Sequence, residues 1–351
     1  MFSTYKPEDV TILLKDITGL VKPLPTRERE RLIQSGVHYS EMLPLEYEPS
    51  HAYLDAYIKA VNLYSSETAK AVALVADQIR KGKTGEIVLV SLARAGTPIG
   101  ILLKRYIEKA LGSSVQHYTI SIIRGKGIDE NAMNYILERH SPASIQFVDG
   151  WTGKGAIQNQ LNMAMMKYPD VDPSLAVLSD PAHVAGKAGT YSDFLIASSL
   201  LNSTVSGLLS RTFHREDIIG PKDFHGAAFY GELMGKDLTY HFIERVERKF
   251  DFSVREENSE NEIDIGSGLE EVRKIAEHFS IDDINLVKPG IGEATRVLLR
   301  RLPRKVLVHS LDDFEFLGHL YQLAEEKKVT IEKYPLVNYR ACGIIQKLPD
   351  T

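Results

Sequence analysis

Short apolar runs alternate with helix-length segments through the middle of the chain. The runs lie at 85–92, 114–123, 144–150, 175–180 and 193–199 (GEIVLVSL, SVQHYTISII, SIQFVDG, LAVLSD and DFLIASS). Helical patterns fill the intervals at 97–111, 129–140 and 154–167. Apolar strands separated by helices are typical of βαβ units. The predicted fold class is therefore α/β with a mostly parallel sheet.

The chain before this region reads as an irregular, proline-punctuated lead followed by one long helix. The helix is predicted from about His51 to Lys81, because alanine and leucine side chains recur there at helical spacing. We expect this helix to lead into the core of the sheet domain.

A second, smaller α/β unit is predicted beyond a polar stretch at 253–267, whose many acidic residues are typical of a linker. We divide the chain into a first domain over 1–255, a linker over 256–265 and a second domain over 266–351. In the second domain the pattern predicts helices within 268–279, 292–302 and 314–328, and strands within 284–290, 305–311 and 330–337.

Composition excludes several classes of protein. A hydrophobic fraction of 43% and a charged fraction of 25% exclude collagen-like, disulfide-scaffold and wholly disordered chains. A net charge of -5 excludes a uniformly basic nucleic-acid binder, although a local basic patch is compatible with it. The single cysteine, Cys342, fits a reducing compartment. Without an apolar leader or an apolar run of about 18 residues, we expect a cytoplasmic protein without a membrane segment.

A glycine-rich loop follows the run at 144–150 and opens a helix. Backbone N–H groups at such a helix start can hold a phosphate. The carboxylate that ends the strand could accept bonds from ribose hydroxyls or hold a metal. A plain βα turn with its capping residues accounts for the same glycines. The residues singled out as candidate ligand contacts are Asp149, Gly150, Thr152, Gly153, Lys154 and Gly155.

A similar loop follows the run at 85–92. Arg94, Ala95 and Gly96 form a small-residue turn ahead of a helix that has Pro98 in its first turn. Arg94 is placed where a guanidinium and the backbone could grip a diphosphate together. Loops at the carboxyl ends of neighbouring parallel strands face one crevice. We therefore expect the two loops to form one nucleotide-like site.

These two loops resemble the phosphoribosyltransferase family, most closely its divergent members in bacterial tellurite and stress-resistance operons. The resemblance covers roughly the first 250 residues and implies a Rossmann-like parallel sheet. It also implies transfer of a phosphoribosyl group from phosphoribosyl pyrophosphate to a nitrogenous acceptor, or the reverse phosphorolysis, with Mg²⁺ held in part by Asp149. In the loop at 124–130, Arg124 and Lys126 would then neutralise the departing pyrophosphate. A solvated surface hairpin is the other interpretation of that loop.

Four further polar residues are candidates for recognition of the acceptor: Asp180, Ser206, Arg211 and His225. Asp180 ends an apolar run, where a helix-capping role is the competing interpretation. His225 lies within DFHGAAF, where a buried histidine with satisfied hydrogen bonds is the competing interpretation.

Cations cluster near residues 288–305 with few acids among them. A glycine turn that opens a basic helix can meet phosphates through its N–H groups, whereas an amphipathic helix with a solvated basic face accounts for the same pattern. The segment from Gly290 resembles the Pelota-type RNA-binding fold, which implies RNA as a partner of the second domain. The residues assigned to RNA contact are Lys288, Gly290, Gly292, Glu293, Arg296 and Arg300.

Two alternatives to the transferase remain. Proteins of the resembled family have also been labelled cysteine proteases, which makes Cys342 the alternative nucleophile; a buried structural cysteine is the competing interpretation. The other alternative is a non-catalytic, nucleotide-sensing protein that binds RNA. The expected partners are phosphoribosyl pyrophosphate or a related sugar phosphate, RNA at the second domain, and a second copy of the chain in a homodimer.

Overall fold

A computed structural model describes residues 2–46, 48–112, 114–255 and 265–347. We call its residues up to 255 the N-terminal unit and those from 265 the C-terminal unit. The helices are α1 Thr26–Gln34, α2 His51–Gly82, α3 Gly96–Leu111, α4 Glu130–Leu137, α5 Ala156–Met165, α6 Thr239–Glu247, α7 Ser267–His278, α8 Ile291–Arg300 and α9 Phe314–Lys327.

The strands confirm the α/β class. They are β1 Thr11–Ile12, β2 Lys15–Asp16, β3 Val88–Leu92, β4 Gln116–Ile120, β5 Ile122–Ile123, β6 Gly127–Ile128, β7 Ile145–Val148, β8 Leu175–Ser179, β9 Lys187–Thr190, β10 Gly226–Ala227, β11 Val287–Pro289, β12 Pro303–Val308, β13 Thr330–Lys333 and β14 Ala341–Ile345.

The N-terminal unit is built on a six-stranded sheet in the order β1-β4-β3-β7-β8-β9, in which every neighbouring pair is parallel. Leu89 of β3 packs on the face that carries α2 and α3, whereas Val88 and Val90 pack on the face that carries α4 and α5. A sheet covered by helices on both faces requires strands that are apolar throughout. The apolar runs in the sequence therefore identified these strands correctly.

One predicted strand is wrong. The apolar run at 193–199 leads into a 3₁₀ helix at Ala197–Leu200, and the edge of the sheet is formed by β9. β9 has the sequence KAGT, and a Cβ on Gly189 would lie 2.8 Å from the Ala71 Cα of α2. Small residues are needed at this close approach to the helix, so the strand has no apolar pattern to detect.

The proline-rich lead contains more regular structure than expected. It contributes β1 and β2, and it contains α1, whose sequence TRERERLIQ has few apolar positions. The long helix predicted over 51–81 is present as α2, with Tyr57, Val72 and Ile79 fully buried. Within the described part of the chain, no helix has the length and apolar content to cross a membrane.

The C-terminal unit is a four-stranded sheet in the order β11-β14-β12-β13, with α7 on one face and α8 on the other. β14 lies between β11 and β12 and is antiparallel to both. The sequence pattern missed β14 and treated residues 330–337 as the last strand. The predicted linker over 256–265 lies, except for Ile265, outside the described residues, and the proposed domain boundaries stay a prediction.

Candidate functional site

A cleft of about 1470 Å³ opens between the loops at the carboxyl end of the parallel sheet and the C-terminal unit. Loops at this end of an α/β sheet are where such folds bind ligands. Cationic side chains from both units line the cleft, among them Arg29, Arg94, Arg124, Lys154, Arg211, Lys288, Arg296 and Arg301.

The first predicted loop reaches the cleft through Arg94, but its guanidinium is tied down. It donates to Glu46 Oε1 at 3.2 Å, to the Leu209 carbonyl at 2.9 Å and to Asn202 Oδ1 at 3.1 Å. Ala95 is the N-cap of α3, and Gly96 follows it. A Cβ on Gly96 would lie 2.5 Å from the Val148 carbonyl, so only glycine allows β3 and β7 to bring their loops together here.

Asp149 at the end of β7 is partly buried beside the second loop and lines the cleft. Its Oδ1 accepts a hydrogen bond from the Gly150 amide at 2.7 Å, and burial raises the pKa of the carboxyl to about 7. The described residues contain no group of three histidine, cysteine, aspartate or glutamate side chains arranged to hold a metal. The contacts of Asp149 neither support nor exclude the expected Mg²⁺ site. The Mg²⁺ site therefore stays a prediction.

The glycine-rich loop itself contacts the C-terminal unit. Lys154 Nζ donates to the carbonyls of Ile284 and Val287, the latter at 3.1 Å. The Gly153 carbonyl accepts a hydrogen bond from the Tyr339 hydroxyl at 2.6 Å. Burial lowers the pKa of Lys154 to about 7, and the neighbouring cations Lys288 and Arg124 lower it further. Lys154 is therefore part of the contact between the units.

The remaining residues of this loop have structural roles. Thr152 Oγ1 donates to the Asp180 carboxylate, and Gly155 adopts a left-handed conformation with φ of 77° immediately before α5. Asp180 also accepts hydrogen bonds from the amides of Val184 at 2.9 Å and Ala185 at 2.8 Å. Asp180 thus fixes the glycine-rich loop to the segment at 184–185.

Two other acceptor candidates support loops within the N-terminal unit. The Ser206 hydroxyl donates to the Asn202 carbonyl at 2.9 Å. His225 Nδ1 is 2.9 Å from Ser121 Oγ, and burial lowers the pKa of the imidazole to about 3. Of the acceptor candidates, Arg211 lines the cleft.

The loop between β5 and β6 separates its two predicted cations. Arg124 lines the cleft and lies over the Tyr39 ring, with its guanidinium carbon 5.8 Å from the ring centroid. Lys126 Nζ instead donates to Glu41 Oε1 at 2.7 Å. The structure therefore places Arg124, rather than the pair, at the cleft.

The predicted RNA-contact helix α8 begins against the N-terminal unit. The Ile291 amide donates to both carboxylate oxygens of Asp193, each at 3.0 Å, and the Arg340 amide donates to Asp193 Oδ2 at 2.9 Å. Burial raises the pKa of Asp193 to about 6. Gly290 precedes the helix with φ of 91°, so the turn expected to meet RNA phosphate holds an intramolecular carboxylate instead.

The other assigned RNA contacts also face the N-terminal unit. Arg296 pairs with Glu293 at 2.8 Å and lies 4.9 Å above the Trp151 ring. Gly292 packs closely against that same ring. Burial lowers the pKa of Lys288 to about 8. The side chain of Arg300 lies outside the described part of the structure.

Cys342 lies on β14, in the core of the C-terminal unit. Its side chain is fully buried with Val272 and Ile275 of α7. Burial raises the pKa of the thiol to about 12, while the Lys288 backbone N–H and the Lys154 ammonium act in the opposite direction. The thiol is protonated and inaccessible in this conformation, as the structural interpretation of Cys342 required.

Sequence reasoning missed two residues at the cleft and one at the contact between the units. Arg29 lies on the unpredicted helix α1, Tyr39 lies on the 3₁₀ helix that follows it, and Asp193 lies in the segment wrongly predicted as a strand. The charged run RERER at 27–31 was the one available signal for Arg29. Asp193 acts through a partner 98 positions away, which no local pattern reveals.

Comparison with known protein families gives two matches that together cover most of the chain. Residues 3–247 match a family described as "Tellurite-like stress resistance cysteine protease StiP". Residues 266–347 match the "PELOTA RNA binding domain". A curated relative from Acinetobacter baylyi, named "Cysteine protease StiP", is 36% identical over 364 residues, which span 98% of this chain and 94% of that protein.

Solved structures give much weaker matches. A hypoxanthine-guanine phosphoribosyltransferase from Bacillus anthracis superposes with a TM-score of 0.28 at 18% identity, over 36% of this chain and 77% of that one. The hypoxanthine phosphoribosyltransferase of Trypanosoma cruzi gives a TM-score of 0.28 at 17% identity, with the same shares of both chains. Matches at this level support no argument about this chain.

The expected transferase function is wrong. The family and its curated relative are named as cysteine proteases, which contradicts phosphoribosyl transfer and its pyrophosphate donor. The resemblance to the stress-resistance proteins and to the Pelota domain is confirmed. The chain belongs to the StiP family of tellurite-like stress resistance proteins and carries a C-terminal Pelota domain.

Proposed function

We propose that the chain is a cysteine peptidase with Cys342 as its nucleophile, held unreactive in the conformation described. The observation that carries this proposal is the position of Lys154, which crosses from the N-terminal unit and ends beside the strand next to Cys342. The name of the Acinetobacter relative supports peptidase chemistry, and Cys342 is the single cysteine of this chain.

The surroundings of the thiol favour a thiolate once water reaches it. Burial is the largest cause of the raised Cys342 pKa, and the next two causes, the Lys288 amide and Lys154, both lower it. Glu271 and Asp193 raise it by smaller amounts. Partial exposure would therefore remove the dominant obstacle and leave the two favourable contacts in place.

Lys154 supplies the general base. Because burial lowers its pKa to about 7, a large fraction of this amine is neutral near neutral pH. The amine takes the thiol proton, the thiolate attacks the peptide carbonyl carbon, and the resulting ammonium returns the proton to the departing amine. Water then hydrolyses the acyl group from Cys342, which regenerates the thiol.

Access to Cys342 requires α7 to move away from the sheet while Lys154 keeps its contacts with Ile284 and Val287. Tyr339 and Lys154 hold the glycine loop against the C-terminal unit, and Gly268 of α7 packs against Ala182 so closely that an added Cβ would lie 2.5 Å from its Cα. The contact of Gly268 with Ala182 keeps the proposed peptidase closed, and its activation consists of the release of α7 from this contact.

The test is hydrolysis of labelled casein by the full chain across urea concentrations below its unfolding transition. We expect Cys342→Ser to abolish hydrolysis and Lys154→Met to reduce it strongly. Lys167→Met is the matched control, because Lys167 is an exposed lysine paired with Glu130. Hydrolysis by the Cys342→Ser variant at the wild-type rate would show that the assigned nucleophile is wrong.

RNA binding in the cleft is the second candidate function. It is favoured by the match of residues 266–347 to the Pelota domain and by the cationic lining that Arg124, Arg296 and Lys288 give the cleft. A single-stranded RNA would place its phosphates along these side chains, so its affinity should fall steeply with salt.

The test compares Arg296→Gln with Arg273→Gln, an exposed arginine on α7. In a titration with a labelled RNA oligomer, we expect Arg296→Gln to weaken binding and to reduce the salt slope by about one ion, and Arg273→Gln to leave both unchanged. Equal binding by the two variants would exclude the cleft as the RNA site.

A further inference from the structure

Four arginines converge on one wall of the cleft, which we call the arginine wall: Arg29, Arg94, Arg211 and Arg301. Two of them are neutralised by buried glutamates. Arg94 pairs with Glu46 at 3.2 Å, and Arg301, from the C-terminal unit, holds Glu30 through bonds of 2.7 and 2.8 Å.

The other two arginines lack such a partner. Arg29 has a buried Nε without a hydrogen bond, and Arg211 stacks its guanidinium 4.5 Å above the Tyr39 ring. Among the described residues, no carboxylate forms an ion pair with either. Because Arg29 and Arg211 are on different segments, only the folded chain brings their charges together.

The charges of the wall therefore repel one another. Burial and then the charge of Arg29 lower the pKa of Arg211 to about 9, and Arg94 and Arg301 add to the effect. Burial and Arg301 likewise lower the pKa of Arg29. Unpaired cations in a partly desolvated cleft are unfavourable, so a doubly negative ligand would relieve an existing cost.

We propose that the arginine wall binds a phosphate dianion, either inorganic phosphate or the terminal phosphate of a small metabolite. Four guanidinium groups face two carboxylates, which leaves an excess of two positive charges. A phosphomonoester carries nearly two negative charges at neutral pH, and guanidinium forks bind its oxygens in pairs. A phosphodiester carries a single charge and matches this excess less well.

The ligand would also connect the two units. Arg29 and Arg211 belong to the N-terminal unit, whereas Arg301 follows α8 in the C-terminal unit. A phosphate bound by all three adds a bridge to the contact already made by Glu30. This proposal depends on neither candidate function, since Cys342 and Lys154 take no part in it.

The experiment is a calorimetric titration of the full chain at constant ionic strength with inorganic phosphate, adenosine monophosphate and adenosine. We expect phosphate and the monophosphate to bind and adenosine not to bind. Arg29→Gln and Arg211→Gln should each weaken phosphate binding by about tenfold or more. Arg139→Gln, an exposed arginine outside the cleft, should bind as the wild type does.

Thermal melting separates loss of binding from loss of folding. We expect phosphate to raise the melting temperature of the wild type and to have a much smaller effect on either wall variant. If Arg211→Gln fails to fold, Arg29→Gln on the partly exposed α1 still decides the question. Equal affinities for phosphate and adenosine monophosphate would show that the site recognises the phosphate group alone. Tighter binding of the monophosphate would show that the site also contacts the nucleoside. Absence of saturable binding of both, or wild-type affinity in Arg29→Gln, overturns the proposal.

Discussion

The arginine wall and the surroundings of Cys342 lie at the same contact between units, but burial leaves them in different charge states. At the wall, burial lowers the pKa of Arg211 to about 9, which still leaves this guanidinium charged at neutral pH. Around Cys342, burial raises the thiol pKa to about 12 and lowers that of Lys154 to about 7. The wall is therefore charged and open to a ligand, whereas the thiol is neutral and closed to one. Burial favours the neutral form at both places, but a guanidinium, with an ordinary pKa of 12.5, keeps its charge under a shift that leaves much of the Lys154 amine neutral.

The largest predicted effect comes from breaking the closure of the thiol region at Asp193. Asp193→Ala leaves the amides of Ile291 and Arg340 without partners, at a cost of about 3 kcal/mol to the closed form. We expect labelling of Cys342 by a small disulfide reagent to become roughly a hundredfold faster under native conditions. Asp217→Ala, at an exposed ion pair, is the control. Unchanged labelling would mean that Asp193 does not hold the units closed.

Phosphate should slow the labelling of Cys342, the opposite of the effect expected for Asp193→Ala. A ligand at a hundred times its dissociation constant stabilises the bound form by about 2.7 kcal/mol. If opening separates Arg301 from Arg29, saturating phosphate slows the labelling of Cys342 by about a hundredfold. Arg29→Gln should lose this protection. Protection that persists in Arg29→Gln would place the phosphate elsewhere.

A smaller effect, on folding stability, is predicted for Asp149, which belongs neither to the arginine wall nor to the surroundings of Cys342. Its folded pKa of about 7 lies above the ordinary 3.8, so its ionisation weakens the folded state progressively as pH rises from 4 to 7. Asp149→Asn keeps the oxygen that accepts from Gly150 and removes the charge. We expect the variant to be about 2 kcal/mol more stable than the wild type at pH 8, with no gain below pH 4. Urea unfolding at both pH values measures this, and a gain of equal size at pH 4 would contradict it.

The smallest predicted effect is on phosphate affinity, and it tests whether the excess positive charge of the arginine wall drives binding. Glu46→Gln removes one of the two carboxylates that offset the arginines. Phosphate affinity should then increase by about fivefold, as expected for one charge removed a few ångströms from a partly solvated ligand. The calorimetric titration described above measures it, with Glu138→Gln at an exposed pair as the control. Weaker phosphate binding in Glu46→Gln would show that Glu46 orients the ligand rather than opposing it.

Elements formed by local patterns were predictable from the sequence. The buried strands β3, β7 and β8 and the helix α2 follow directly from apolar periodicity, and the glycine loops were correctly placed at the ends of β3 and β7. The close approach of Gly96 to Val148 accounts for the small residues in the first loop.

The features that were missed depend on contacts between distant segments. β14 is a strand of five residues, ACGII, whose place in the sheet is set by pairing with β11 and β12. The arginine wall joins residues from α1 to the end of α8, and Arg29 and Arg211, for which the described residues supply no carboxylate ion pair, are far apart in sequence. Neither charge is unusual by itself, and their significance comes from the repulsion that folding creates.

The carboxylate of Asp193 makes the C-terminal unit incomplete by itself. It accepts the first free amide of α8, so a helix of one unit is capped by the chain of the other. The two units should therefore melt in one cooperative transition, and the amides of Ile291 and Arg340 should exchange with solvent no faster than the core of the parallel sheet. A fragment that begins after the acidic stretch at 253–267 would lack Asp193, so the Ile291 amide at the start of α8 would have no carboxylate acceptor. We expect such a fragment to be less stable for this reason.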